Sequence, residues 1–310
     1  MNLGNRFLSS LLGIQVVHSK KIERLKQQAQ PGSSIDQNES RECRAFLSDI
    51  RELTLSFQNM QEQKSHPNPL NQFGHKCYSQ SDEDGITIEI LNRIGLLENG
   101  VFAEFGVGNG MENNTLVLKS LGWKGFWVGG EDLAFDIPQS NGTFSFQKEW
   151  INRSNICEFA KRGMLHIHAT EIDLISLDLD GNDIYLCEEL LKNGFVPKVF
   201  IVEYNAKFLP PIKFQIEYDP DHVWNEDDYF GASLASFNEL FNRYGFKLVC
   251  CNSHTGANAF FVREELMDCF IDVPADIRNI FVGPRYYLHR SYGHRPSTKT
   301  ISTLLKQKQG

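Results

Sequence analysis

Apolar residues recur along the chain with two different spacings, and the change near residue 78 divides the sequence. Before that point, the stretches 20–30 and 42–63 carry apolar residues at every third or fourth position, which is the spacing of an amphipathic helix. From about residue 78, short apolar runs of strand length alternate with helical patterns. The sequence therefore predicts a helical N-terminal extension over residues 1–70 and an α/β domain over residues 71–282.

Within the α/β part, the pattern predicts a strand, a helix and the next strand in regular alternation. The expected strands are 101–105, 126–128, 165–169, 172–179 and 199–203, followed by a hairpin of 246–251 and 258–262. The expected helices are 86–94, 114–121, 185–192 and 232–244. Such alternation favours parallel strands joined by right-handed crossovers, with helices on both faces. The expected fold is thus a Rossmann-like, doubly wound, mostly parallel sheet with a terminal antiparallel hairpin.

Charge and composition reduce the number of possible functions. The net charge of −8 argues against a general nucleic-acid binder. Residues 283–310 form a basic tail with six Lys or Arg and no acid, which predicts either a solvated tail or an anion-binding patch. No apolar run approaches the roughly 20 residues of a membrane span, and the seven cysteines form no C-x-x-C pair. We therefore expect a cytoplasmic protein without a signal peptide or stable membrane insertion.

The loop after the first predicted strand carries the most informative motif, E-F-G-V-G-N-G at residues 104–110. Glycines after a buried strand let the backbone turn sharply and let a ligand approach it closely. Met111 stands where a dinucleotide fingerprint needs its third glycine. The acid two residues before the first glycine resembles the first motif of class I S-adenosylmethionine-dependent methyltransferases. That resemblance implies that Glu104, Gly106 and Gly108 bind the methionine part of the cofactor.

An acidic residue follows the second predicted strand, about 20–25 residues beyond the glycines. A carboxylate at the end of this strand can accept hydrogen bonds from two ribose hydroxyls, as in dinucleotide-binding folds. Glu131 is the better match to this position, and Asp132 is the alternative.

Acidic and amide side chains also follow two later strands. Asp178 and Asp180 come at the end of the strand 172–179, and Glu203 and Asn205 end the next one. Because parallel strands converge at their carboxyl ends, we expect these four side chains to face one site. They would hold Mg²⁺ or another divalent cation, or one carboxylate would act as a general base toward a hydroxyl. Helix capping and solvent exposure remain open for each of them.

Three segments together resemble the FkbM-like methyltransferase family. They are Y-S-Q-S-D-E-D-G at residues 78–85, the glycine motif at 104–110, and L-D-L-D-G-N-D at 177–183. The resemblance covers about residues 75–265 and leaves out both the N-terminal extension and the basic tail. It implies transfer of a methyl group from S-adenosylmethionine to an oxygen of a sugar or another small metabolite. Gln80 and Asp178 then become further cofactor-binding candidates.

A long segment between the strand 199–203 and the next helix departs from that pattern. This insertion, residues 207–231, is rich in aromatic side chains and contains His222. Long loops above strand ends are common places for lids and binding surfaces. We therefore take His222, with Asp178 and Glu203, as the candidate catalytic residues, although packing of the insertion onto the domain would also explain its aromatic content.

Three other functions compete with this hypothesis. An NAD-dependent oxidoreductase would need the missing glycine and a Tyr-x-x-x-Lys pair, and nucleic-acid methylation is disfavoured by charge. A non-catalytic binding or assembly module that keeps the fold is the main alternative. The expected partners are a small-molecule substrate, such as a sugar or nucleotide-linked sugar, and a second copy of the chain bound through the N-terminal helices.

Overall fold

The computed structural model describes residues 57–137, 142–285, 294 and 297–306. The chain divides into two compact units, Met1–Met60 and Gln61–Gly310. Residues 57–65 are helical, in agreement with the end of the helical pattern at 42–63, whereas the helix expected at 20–30 lies outside the described residues. The domain boundaries near residues 70 and 282 stay predictions.

Seven strands of the second unit form one sheet. In chain order they are β1 Val101–Phe105, β2 Lys124–Gly129, β3 Phe144–Lys148, β4 Leu174–Leu177, β5 Val199–Glu203, β6 Phe246–Cys251 and β7 Asn258–Arg263. Their order across the sheet is β3-β2-β1-β4-β5-β7-β6. The first five strands pair in parallel, and β7 runs antiparallel to both β5 and β6. The predicted Rossmann-like sheet with a terminal antiparallel hairpin is confirmed.

After residue 65, the α-helices of the described residues are α1 Glu83–Arg93, α2 Leu116–Ser120, α3 Ile156–His166, α4 Asp183–Lys192, α5 Leu234–Arg243 and α6 Thr298–Lys306. The first five cover both faces of the sheet. Adjacent strand residues point to opposite faces, so Phe126 joins the core beneath α3, α4 and α5, whereas Trp127 joins the core beneath α1 and α2. Burial on both faces explains why the central strands are continuous apolar runs.

Two strand predictions differ from the structure. The segment 165–169 is not a strand, because Leu165 and His166 belong to the last turn of α3. Its alternation of apolar and polar residues competes with a stronger helical spacing at Ile156, Phe159 and Gly163, all buried in α3. Conversely, β3 was missed: it is a short edge strand with only one fully buried residue, so its apolar signal is weak.

The order of the strands reverses between β1 and β4, since β2 and β3 lie on one side and β5 on the other. In open α/β sheets, ligands bind in the crevice at the carboxyl ends of the strands at such a reversal. Among the residues that the structure describes, no helix combines the length and apolar character needed to cross a membrane.

Candidate functional site

The glycine loop, residues 106–110, lies at this reversal and is held against the neighbouring strands. Gly106 has φ +93° and donates its N–H to the carbonyl of Val128 at 2.9 Å. A side chain at Gly106 would overlap the backbone carbonyl of Asp178. Glycine is therefore required here both for the left-handed backbone conformation and for close approach to the end of β4.

Glu104, at the end of β1, organises the segment that follows the glycine loop. Its carboxylate accepts hydrogen bonds from the backbone N–H of Asn114 at 2.8 Å and from the hydroxyl of Thr115 at 2.5 Å. Burial raises the pKa of Glu104 to about 7, although these hydrogen bonds oppose the shift. Glu104 thus fixes the start of α2 in addition to forming part of the wall of the crevice.

The segment before α1 is held by a second buried acid, Asp84. One oxygen of its carboxylate, Oδ2, accepts hydrogen bonds from the backbone N–H groups of Cys77, Tyr78 and Ser79 at 2.6–2.8 Å. The carbonyl of Tyr78 in turn accepts the N–H of Asn113 at 3.3 Å. Asp84, the aspartate of the E-D-G sequence at residues 83–85, therefore orders the segment that brings Gln80 to the crevice.

Three carboxylates meet at the carboxyl ends of β4 and β5. Oxygens of Asp178, Asp180 and Glu203 lie within 4.8 Å of one another, and we call these residues the acidic cluster. Burial raises the pKa of both Asp178 and Glu203 well above the usual range. Repulsion by Asp180 and Asp183 adds to the effect at both groups, and Asp178 also raises the pKa of Glu203. The two carboxyl groups also share a hydrogen bond. The pKa of Asp180 is raised as well, first by burial.

The turn that carries the acidic cluster is fixed by Asp183, a residue that sequence reasoning did not single out. Its carboxylate accepts the backbone N–H of Leu179 at 2.7 Å and that of Gly181 at 2.8 Å. Burial raises the pKa of Asp183 to about 6. Asp180 adopts φ +53°, a conformation that non-glycine residues rarely take. Asp183 therefore holds Asp178 and Asp180 in a bent turn at the crevice.

These elements enclose a cavity of about 480 Å³, which we call the central cavity. It brings together seven of the predicted site residues: Gln80, Glu104, Gly106, Gly108, Asp178, Asp180 and Glu203. Sequence reasoning missed its amide lining, which consists of Asn109, Asn113, Asn114 and Asn258. Asn109 lies within the glycine motif and Asn113 and Asn114 come three and four residues after its last glycine, so their position was the only available signal. A cavity of this volume suits a ligand of cofactor size.

The charged residues that line the central cavity are all acidic. Five carboxylates line it, and the described residues of its lining include no Lys, Arg or His. Two of these acids, Asp178 and Glu203, are half-buried, and the Oε2 atom of Glu203 has no hydrogen-bond partner within the described residues. Partly desolvated carboxylates that repel one another favour a cationic ligand or a bound proton. The cavity is thus suited to an ammonium, a sulfonium or a metal ion.

Glu131 and Asp132 have different environments after β2. Glu131 is exposed and lies close enough to Asp180 for its charge to raise the pKa of Asp180. Asp132 is paired with Lys148 of β3 at 2.6 Å. The carboxylate of Glu131 is therefore the one near the acidic cluster.

Asn205 and His222 do not line the central cavity. The amide of Asn205 donates to the backbone carbonyls of Asp228 and Phe230 at 3.0 and 3.1 Å, so Asn205 holds the insertion and drops out of the candidate metal ligands. The ring of His222 packs against Gly181 and faces a different cavity. Burial lowers the pKa of His222, which favours the neutral ring.

No family model matches the chain, and no curated protein sequence matches it. Among solved structures, it is similar to a protein described as a hemolysin from Streptococcus thermophilus, at 13% identity over 61% of this chain and 69% of that one, with a TM-score of 0.35. A protein described as an RNA methyltransferase from Pyrococcus horikoshii matches at 11% identity over 66% and 99% of the two chains, with a TM-score of 0.34. The CcbJ methyltransferase from Streptomyces caelestis matches at 12% identity over 56% and 88%, with a TM-score of 0.32. These similarities concern architecture, so the function must be argued from the site.

Proposed function

We propose that the chain binds S-adenosylmethionine in the central cavity and transfers its methyl group to an oxygen of a small acceptor. The observation that carries this proposal is the lining of the cavity, which contains five carboxylates and, among the described residues, no Lys, Arg or His. One of the five, Glu112, pairs at 3.7 Å with Lys76, which lies outside the lining. S-adenosylmethionine presents a sulfonium and an ammonium group, and both are favoured beside desolvated carboxylates. The motif at residues 104–110 and the resemblance to FkbM-like methyltransferases support the same cofactor.

In this proposal, different residues around the cavity bind different parts of the cofactor. The backbone at Gly106 and Gly108 can approach the methionine part of the cofactor without an intervening side chain, and Gln80 adds a polar group to the same lining. Glu131, exposed after β2 and outside the lining of the cavity, would accept hydrogen bonds from the ribose hydroxyls. Glu104 acts mainly through the loop, because its carboxylate already accepts hydrogen bonds from Asn114 and Thr115.

In this proposal, the carboxylates of the acidic cluster activate the hydroxyl group of the acceptor. When bound, the cofactor provides a methyl group that passes from sulfur to the attacking oxygen in one displacement. Asp178 or Glu203 takes the hydroxyl proton, and a carboxylate with a raised pKa is better matched to this task near neutral pH than an ordinary one. Holding both reactants in line supplies much of the remaining acceleration.

The same cluster also fits a divalent cation. Asp178, Asp180 and Glu203 offer hard oxygen ligands within 4.8 Å of one another, which is the ligand type that Mg²⁺ prefers. A cation held there would lower the pKa of the acceptor hydroxyl and would offset the repulsion among the carboxylates. We propose a metal-assisted form of the reaction beside the metal-free form. A titration with the cation distinguishes the two forms.

Calorimetry with S-adenosylmethionine and S-adenosylhomocysteine tests the cofactor assignment. The two ligands differ by a methyl group and by the sulfonium charge, so a cavity that recognises the charge should bind S-adenosylmethionine at least about tenfold more tightly, a difference of about 1.4 kcal/mol. NAD⁺ serves as the control for the oxidoreductase alternative and should not bind. Absence of binding by S-adenosylmethionine at about 1 mM would remove the proposal.

Replacement of Glu131 by alanine should weaken cofactor binding without unfolding the protein. Glu131 is exposed, and loss of charge-assisted hydrogen bonds to the ribose costs about 1.5–3 kcal/mol, or roughly 10–150-fold in the dissociation constant. The matched control is Asp132→Ala, which removes the adjacent carboxylate and its exposed ion pair with Lys148. Equal losses in the two variants would show that Glu131 has no specific role. A protein that loses cofactor binding yet still self-associates would support the assembly alternative.

A further inference from the structure

A second cavity, of about 460 Å³, lies between the insertion and α6. We call it the insertion cavity. Its walls come from residues 217–229 of the insertion on one side and from residues 298–306 of α6 on the other. Neither segment belongs to the part of the chain that carries the cofactor motif.

The walls of the insertion cavity are fastened to each other and to the end of β5. The buried carboxylate of Asp228 accepts the N–H of Ser297 and the hydroxyl of Thr300, each at 2.7 Å, and pairs with Lys207 at 2.5 Å. Leu304 of α6 packs against an apolar cluster of the insertion that includes Phe208 and Phe214. A site with pre-formed walls binds a ligand at a lower cost in conformational entropy.

The insertion cavity is also joined to the turn that carries the acidic cluster. The amide of Asn182 donates to the carbonyl of Asp219 at 2.6 Å, and the N–H of Asp219 returns a hydrogen bond at 3.3 Å. The ring of His222 forms part of the cavity wall and packs directly on Gly181. The turn of Asp178 and Asp180 therefore has the central cavity on one side and the insertion cavity behind Gly181 and His222.

The lining of the insertion cavity combines aromatic rings with hydroxyl groups. Tyr218 and Tyr229 contribute aromatic side chains, with Arg153 over the ring of Tyr218 and Lys299 over the ring of Tyr229. Thr298, Ser302 and Thr303 provide hydroxyls from α6. Aromatic side chains contribute apolar surface, and hydroxyl groups exchange hydrogen bonds with a ligand that carries both donors and acceptors.

The charges of this lining balance. Glu217 and Lys306 pair at 3.1 Å, and Lys299 lies over the ring of Tyr229 at 5.4 Å from its centroid. With Asp219 as the remaining charged group, two acids face two lysines. A balanced lining does not select a strongly anionic or cationic ligand, in contrast to the central cavity.

We propose that the insertion cavity binds a neutral, polyhydroxylated ring of the acceptor and so determines which acceptor reaches the acidic cluster. The inference rests on the proposed methyl transfer, because the cavity adjoins that reaction centre. It assigns the insertion and the C-terminal helix to acceptor recognition.

Filling the cavity from α6 tests the proposal. Ser302 lines the cavity and is exposed, so Ser302→Trp should obstruct it without touching the core, and Ile301→Trp is the matched control on the neighbouring, exposed position outside the lining. The probes are the methyl glycosides of glucose, galactose, mannose and rhamnose, observed by saturation-transfer NMR at about 10 mM. Inorganic pyrophosphate and uridine diphosphate glucose form the anionic arm.

We expect at least one neutral glycoside to bind the unaltered protein and Ile301→Trp, and to lose at least about tenfold in affinity with Ser302→Trp. S-adenosylmethionine affinity should change by less than about twofold in both variants. Binding of no glycoside, binding of pyrophosphate alone, or equal binding to Ser302→Trp would each overturn the inference. Cofactor binding without glycoside binding would refute this inference alone, whereas glycoside binding without cofactor binding would refute the proposed function.

Discussion

Gly106→Ala is expected to abolish binding of S-adenosylmethionine and to lower the free energy of unfolding by about 4 kcal/mol or more. The added methyl group would overlap the carbonyl of Asp178, and the φ of +93° is unfavourable for any residue with a Cβ. Relief of the overlap requires the glycine loop and the end of β4 to separate, which displaces both the backbone proposed to contact the cofactor and the acidic cluster. Urea unfolding and calorimetry with the cofactor measure the two losses.

Gly122→Ala is the matched control for this variant. Gly122 has φ +87°, close to that of Gly106, but a Cβ there would meet nothing within 4 Å. It should lose only the cost of the left-handed conformation, about 1–2 kcal/mol, and keep full cofactor affinity. Similar losses in the two variants would show that backbone strain, and not the contact with Asp178, explains the glycine at position 106.

The buried strands were the part of the fold that sequence could predict most closely. The bounds of β1, β5 and β6 agree with the prediction residue for residue, because a strand buried on both faces is a continuous apolar run that ends where the crevice begins. The edge strand β3 has no such signal, because only one of its five residues is buried, whereas five of the six residues of β6, at the other edge, are buried. Around residues 165–169, the apolar residues fit both the spacing of a strand and that of a helix, and the structure follows the helical spacing.

The candidate site was predictable where backbone topology dictates it. Asp178 and Glu203 come together because β4 and β5 are parallel neighbours, and a strand end is visible in the sequence. The direction of a side chain beyond the strand end is set by tertiary contacts, so the sequence could not show that Asn205 would bind the carbonyl groups of the insertion. The insertion cavity was hidden for the same reason: the contact between Asp228 and Thr300 joins residues 72 positions apart.

Glu203→Gln is expected to raise the stability of the cofactor-free protein at about pH 8 while slowing methyl transfer by about 100-fold or more. The pKa of Glu203 is raised in the folded protein by burial and by the charge of Asp178, so the folded state binds more protons than the unfolded state above the ordinary pKa of 4.5. The stability that these two groups contribute is therefore fully present below about pH 4 and is lost as the pH rises through the folded-state pKa values of Asp178 and Glu203. Glutamine removes one of these two ionisations and the repulsion that it exerts on the other.

The variant should gain about 1–2 kcal/mol at pH 8 with EDTA present, which corresponds to roughly 2–8 °C in the melting temperature, and little at about pH 4.5. Glu239→Gln is the control, because Glu239 is an exposed carboxylate on α5, paired with Lys213, and should change stability by less than about 1 kcal/mol at either pH. Identical pH profiles for the variant and the unaltered protein would contradict the argument from burial.

The same pair of proteins decides between the two forms of the reaction. If the acidic cluster holds a divalent cation, Mg²⁺ should stabilise the unaltered protein at pH 8 and far less at pH 4.5, because protons compete for the ligand oxygens, and it should not stabilise Glu203→Gln. Formation of S-adenosylhomocysteine in the presence of a glycoside that binds should fall by about 100-fold or more in the variant, since Glu203 is lost both as a proton acceptor and as a ligand. A variant that became more stable yet kept full methyl transfer would place the reacting oxygen away from Glu203. A gain of stability together with a loss of methyl transfer would instead mean that the repulsion between Asp178 and Glu203 destabilises the folded protein, and that the pair is kept because the reaction requires it.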